Sequence, residues 1–137
     1  MKVKEAKRLF NADVIAPDEI LLEPCDVLAP CAVGGVITPA LVPKLACKAV
    51  CGSANNILSN SSVSNDLMKA DITFVPDVIS SAGALIVGVT ELVKGKAKAG
   101  LVDRIYDTTL KTLTEAKRRN IPPLMAAETL AAQALRR

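Results

Sequence analysis

CDVLAPCAVGGVIT (residues 25–38), AVCGSANNIL (49–58) and ITFVPDVISSAGALI (72–86) decide how this chain folds. Each is a short apolar run that ends in small, turn-forming or amide residues. Parallel strands covered on both faces read as such runs, and the residues that follow them gather at the sheet's carboxyl edge, where α/β folds hold ligands. Helical patterns fill the stretches between the runs. Strands alternating with helices predict an α/β fold with a parallel sheet of about four strands and a helical C-terminal third.

Outward from these blocks, Val3, Ala6, Leu9 and Phe10 fall on one face at helical spacing and predict a helix over 2–10, stopped at Asn11. A short strand is expected at 13–16, a turn at 17–20, and strands at 25–29, 48–51 and 72–75. Thr38 before Pro39 predicts a short helix over 39–46, capped by the threonine. Ser62 or Ser64 is the candidate cap of a helix ending near Ala70. A long helix opens at Ser81 and runs to Leu92, and Gly95 and Gly100 mark a break. Residues 101–120 give the best helical pattern, with Ile105, Thr109, Leu113 and Ala116 on the apolar side. Asn120-Ile121-Pro122-Pro123 ends it, and an Ala-rich helix follows over 124–135.

A length of 137 residues predicts one domain, 1–137, with a strand/helix region over 1–80 and helices over 81–137. Half the residues are hydrophobic but only two Phe and one Tyr are aromatic, so the core must be Val, Ile, Leu and Ala. The net charge of +3 is too mild for a nucleic-acid binder. The basic residues cluster at 94–98, 117–119 and 136–137 and read as solvated helix surface. No apolar stretch nears the roughly 20 residues of a membrane span, and MKVKEAKRLF lacks the apolar core of a signal peptide, so the expected location is cytoplasmic. The four Cys have neither CxxC spacing nor any His beside them, which argues against zinc and an activated thiol nucleophile. They are expected to be free, mostly buried small hydrophobes.

Gly34-Gly35 reads as a cofactor-facing turn or as a tight strand-to-helix turn. Asn55-Asn56 reads as a ligand-facing amide pair or as a turn in left-handed backbone. Asp26, Asp77 and Glu91 are scattered carboxylates with no acid/base partner, and no residue is assigned a catalytic role.

Six pieces in order carry a family resemblance: KRLFNADVIAPDEI (7–20), CDVLAPCAVGGVI (25–37), GSANN (52–56), PDVISSAGALI (76–86), YDT…EAKRRNIP (106–122) and AAETLA (126–131). Together they resemble the second half of the NAD-binding domain of the glutamate/leucine/phenylalanine/valine dehydrogenases. The IYDT and AKR…IP pieces are most similar to the leucine, valine, phenylalanine and tryptophan dehydrogenase branch. The resemblance implies a partial Rossmann-like sheet, NAD as cofactor, and reversible oxidative deamination of an apolar L-amino acid to a 2-oxo acid. It implies that Pro30, Cys31 and Ala32 line the adenosine side of the cofactor. Asn55 and Asn56 would lie near the nicotinamide ribose, and Ser81 would stand where the family holds the carboxamide with Asn. Leu85 and Gly88 would wall the substrate side-chain pocket.

The departures set the expected function. Ser81 is shorter than Asn, and Ala84 replaces a Gly. No GxGxxG occurs, and that loop binds the pyrophosphate through backbone N–H groups and a helix dipole. None of the motifs around the family's catalytic lysines and aspartate occurs either. The chain is therefore expected to be the C-terminal part of such a dehydrogenase, to bind NAD loosely and to be inactive alone. The alternatives are a non-catalytic α/β module acting by protein association, and a weak nucleotide-binding remnant. In the strand order 3-2-1-4-5-6 the four strands would be 3 to 6. That leaves an apolar edge at 25–29, which is expected to be covered by the first strand collapsing onto it, by pairing with a second copy or by a swapped N-terminal helix. The expected partners are a second copy or a complementary N-terminal chain.

Overall fold

The computed structural model describes residues 2–95 and 99–136. Within them three strands form one parallel sheet in sequential order: β1 (Cys25–Leu28), β2 (Cys47–Val50) and β3 (Thr73–Phe74). Cys25 pairs with Cys47, Val27 with Ala49, and Val50 with Phe74. Six α-helices accompany the sheet: α1 (Lys2–Phe10), α2 (Val63–Lys69), α3 (Asp77–Ser80), α4 (Ala82–Lys94), α5 (Arg104–Arg119) and α6 (Pro123–Leu135).

The core is aliphatic, as the composition requires. Leu28, Ile37, Val42, Val50, Ile57, Val63 and Leu67 form it, and the one large aromatic inside is Phe74. α2 and α6 pack on β3, and Ala116, Ala126 and Ala127 let α5 and α6 approach closely.

The fourth strand expected at 13–16 does not form; these residues have no regular structure. In the order 3-2-1-4-5-6 that segment pairs with strand 2, and the described residues offer it no such neighbour. Instead Asn11 turns into left-handed backbone at φ 48°, and the Ala16 carbonyl accepts the N–H groups of Glu19 and Ile20 at 3.0 Å each. The free edge of β1 stays uncovered, with Val27 half exposed.

Other boundaries moved for local reasons. The helix expected over 39–46 is only a 3-10 turn, Val42–Lys44. Pro43 lacks an N–H and disfavours helical backbone at Val42. Thr38 still accepts the Leu41 N–H on its hydroxyl, at 3.3 Å. Ser62, one of the two candidates, stands at the N-cap position of α2, but its side chain makes no capping bond. Ser62 donates its hydroxyl to Asn60 Oδ1 at 2.5 Å, and Ser64 is buried inside the helix with its hydroxyl unpartnered among the described residues. The Asn60 side chain instead accepts the Ser62 N–H at 3.0 Å, an Asx turn that starts the helix.

Helix formation after β3 begins at Asp77, earlier than the expected Ser81, because the Pro76 carbonyl accepts the N–H groups of Ile79 and Ser80. Ser81 is the break between α3 and α4. Asn120 ends α5 in left-handed backbone at φ 54°, as expected. The basic cluster at 94–98 and the break between Gly95 and Gly100 include residues 96–98, which lie outside the described residues, as does Arg137.

Candidate functional site

Three loops leave the carboxyl ends of the strands and tie to one another through backbone groups. From β1, the Pro30 carbonyl accepts the Ala54 N–H at 3.1 Å. From β2, the Asn56 carbonyl accepts the Gly35 N–H at 2.6 Å, and Ile37 bridges to the segment at Leu58. A Cβ at Gly52 would overlap the backbone of Pro30, and one at Gly34 would overlap the Asn55 carbonyl. Both glycines are therefore needed for close approach of backbone to backbone.

The third loop ties to the second through side chains. The Asp77 carboxylate accepts the Asn56 N–H at 2.7 Å, and Asn56 sits in left-handed backbone at φ 52°. The Ser80 hydroxyl donates to the Gly52 carbonyl at 2.7 Å. The Ser81 hydroxyl lies 2.6 Å from the Asp77 carbonyl and 3.1 Å from Asn55 Oδ1, and its single proton is shared between them.

This geometry brings together most of the residues singled out in the sequence. Pro30 is buried under the Gly52 turn, while Cys31 and Ala32 are exposed beside it. Asn55 and Asn56 both present side chains to solvent, and Ser81 touches Asn55 directly. Leu85 and Gly88 lie apart from this cluster, on the outward face of α4. Leu85 is 68% exposed, and nothing lies within 4 Å of where a Gly88 Cβ would be. The opposite face of α4 borders a half-open apolar cavity of about 340 Å³, with Ala82, Ile86, Leu101 and Ile105 in its wall.

Ser53, Asp77 and Ser80 were not singled out as site residues. Asp77 read as one of several scattered carboxylates, yet it is buried and organises the crevice. The available signal was its position straight after Pro76, where a strand turns into a helix. Ser53 binds Cys31: hydrogen bonds from its side chain, and then its backbone, hold the Cys31 thiol below the usual thiol range. Burial, reinforced by the nearby Cys31, pushes Cys51 up.

The thiols are free, as expected, but they are not mostly buried. Cys25 and Cys31 are exposed, and Cys47 and Cys51 are half-buried. Cys25 and Cys47 open their strands and Cys31 and Cys51 lie beyond the strand ends, so none occupies the covered middle of the sheet.

α/β folds hold ligands at the carboxyl edge of the sheet, and the strand-end loops here bring Asn55, Asn56 and Ser81 together at that edge. The chain belongs to the Glutamate/Leucine/Phenylalanine/Valine dehydrogenase family, whose profile matches residues 1–136. It is 42% identical to the valine dehydrogenase of Streptomyces albus over 119 residues, 83% of this chain and 32% of that protein. It is 37% identical to the leucine dehydrogenase of Thermoactinomyces intermedius over 124 residues, 89% of this chain and 34% of that protein. The structure superimposes on the L-tryptophan dehydrogenase of Nostoc punctiforme with a TM-score of 0.91 at 36% identity, over 97% of this chain and 40% of that one. The fold also matches the hetero-hexameric glutamate dehydrogenase of Thermus thermophilus, with a TM-score of 0.72 at 23% identity over 98% of this chain and 35% of that one. The chain thus spans about a third of the length of the curated relatives it matches, 32% and 34% for these two. Among the described residues no helix is long and apolar enough to cross a membrane, and no group of three or more Cys, Asp or Glu could hold a metal ion.

Proposed function

We propose that these residues form the nicotinamide-side half of the cofactor site of an amino-acid dehydrogenase that oxidises an apolar L-amino acid to a 2-oxo acid. The observation that carries the reading is that Asp77, Ser80 and Ser81 tie the loop after β3 to the loop after β2, which backbone bonds at Pro30 and Gly35 tie in turn to the loop after β1. This fixes the Asn55 amide at the mouth of the crevice, where its nitrogen has no protein partner among the described residues. Amide and hydroxyl donors of this kind suit ribose hydroxyls and a carboxamide. Pro30, Cys31 and Ala32 then face the adenosine side, Asn55 and Asn56 the nicotinamide ribose, and Ser81 the carboxamide. Leu85 and Gly88 face the substrate side chain.

NAD, when bound, supplies the hydride acceptor. The chain's own residues orient the nicotinamide half and leave the pyrophosphate unheld, since no GxGxxG is present. Alone, the 137 residues should bind NAD loosely and turn nothing over. Cytoplasmic location belongs to the same proposal.

Two assays test it. The chain alone, with NAD and L-valine, L-leucine or L-tryptophan, should produce no NADH; turnover above background contradicts the predicted inactivity. A chimaera carrying residues 1–136 in place of the matching third of the Streptomyces albus valine dehydrogenase should be active. A folded but inactive chimaera contradicts the dehydrogenase reading. A second reading, an association module without catalysis, draws support from the exposed apolar stripe Leu85, Val89, Leu92 and Val93 on α4. A dead chimaera together with a defined oligomer of the chain alone would favour it.

A further inference from the structure

The crevice lies at one end of the β1–β2 pair, and a second chemical feature lies at the other. Cys25 and Cys47 are the first residues of their strands and direct register partners. Partnered residues of parallel strands project from the same face. Neighbouring strands run about 4.8 Å apart, inside the range of about 4.4–6.8 Å that a disulfide needs between Cα atoms. The next pair in the same register shows that facing side chains meet: Lys48 Nζ lies 2.7 Å from Asp26 Oδ1. Cys25 and Cys47 also border the same half-open cavity, about 410 Å³, together with Pro43, Lys48 and Ile72. Burial, followed by the nearness of Cys25, pushes the Cys47 thiol up.

We propose that Cys25 and Cys47 are an oxidant-reactive dithiol that closes reversibly into a disulfide across β1 and β2. With a peroxide as oxidant the chemistry balances. The exposed Cys25, as its thiolate, attacks a peroxide oxygen; the O–O bond breaks, and hydroxide leaves and is protonated by solvent. Cys25 is then a sulfenic acid. Cys47 attacks that sulfur, the S–O bond breaks, and water leaves with the proton that Cys47 gives up. Two thiols lose two electrons in all, and the peroxide is reduced to two waters. A disulfide on an uncovered sheet edge is open to attack by a small thiol and returns readily to the dithiol.

Cys31 and Cys51 also lie near one another, but they are not register partners. In the extended register Cys51 stands opposite residue 29, and its N–H goes to the Leu28 carbonyl at 2.9 Å. Cys31 lies two residues further on and is bound to Ser53.

The test is treatment of the full chain with equimolar hydrogen peroxide, alkylation under denaturing conditions, and peptide mapping by mass spectrometry. The expected result is one intramolecular link joining the peptides of Cys25 and Cys47, with Cys31 and Cys51 alkylated and the link lost on adding dithiothreitol. Cys25→Ser and Cys47→Ser should each abolish it, while Cys31→Ser should leave it intact. A dominant Cys31–Cys51 link, links only between chains, or four alkylatable thiols after treatment would each overturn the proposal. Mapping the wild-type chain decides the matter even if a serine variant folds poorly.

Discussion

The strand-end loops and the outer face of α4 both carry small and aliphatic residues, yet the chain treats those residues oppositely. In the crevice Ala54, Ile57, Leu58 and Asp77 are buried, and the backbone groups of three loops satisfy one another. On α4, Leu92 is 87% exposed and Val93 is 71% exposed. The difference lies in where each segment's backbone hydrogen bonds go. A chain leaving a strand carries unpaired N–H and C=O groups that must find partners as they are buried. A helix satisfies its backbone internally, so its side chains are free to wait for a covering surface. The strand-end loops are therefore fixed by the chain itself, whereas the described residues leave the outer face of α4 exposed.

The sharpest way to break that contrast is to place one methyl group in each region. Gly52→Ala puts a Cβ into the backbone of Pro30, which cannot swing aside as a side chain would. A loss of about 3 kcal/mol, or failure to fold, is expected from urea denaturation. Full retention of stability would mean that the two turns are not in contact.

Asp77→Ala removes the acceptor of the Asn56 N–H and should cost about 2 kcal/mol, the typical penalty of a buried donor left unpaired. Asp77→Asn keeps an accepting oxygen and should recover most of the loss in the same titration. Equal losses in the two variants would show that charge, and not the hydrogen bond, holds the loop.

Gly88→Ala acts in the other region and with the opposite sign. Nothing lies near the added methyl, and alanine favours helix over glycine, so a gain of about 0.5–1 kcal/mol is expected in thermal melts. A loss would mean that α4 is already covered in solution.

The smallest effect is electrostatic. A hydrogen bond from Arg118, at 2.7 and 2.9 Å, holds the Glu115 carboxyl below its ordinary value. A carboxyl whose folded-state pKa is lowered adds stability above its unfolded value, and that contribution fades as pH falls through the folded one. Glu115→Gln should therefore slightly flatten the decline of melting temperature below about pH 4.5 and change little near neutrality. An equal shift at all pH values would point to packing instead. Both side chains reach solvent, so salt should weaken the effect.

Much of the architecture was legible because it rests on local pattern. The apolar runs at 25–29, 48–51 and 72–75 read as strands, and the strands form within a residue of those bounds. Asn120 before two prolines reads as a helix end, and α5 ends there. What failed depended on absent or distant partners. Residues 13–16 have strand composition but no neighbour to pair with, and Pro43 vetoed a helix that Thr38 and Pro39 invited. In the strand-end loops, Asn55 and Asn56 stood out by residue type, and Ser81 only through the family resemblance. Asp77 did not, because its role is a bond across 21 residues to a backbone N–H, and spacing carries no trace of such a bond.

The central claim is that the strand-end crevice, and not the apolar outer face, is where this chain meets a dinucleotide. Titrating isotope-labelled protein with NADH and following backbone amide shifts by NMR tests it directly. The account predicts weak, saturable shifts, on the order of millimolar affinity, centred on Cys31, Asn55, Asn56 and Ser81, with Val3, Leu92 and Val93 unmoved. Shifts confined to α1 and α4, or none at all at several millimolar, would contradict it.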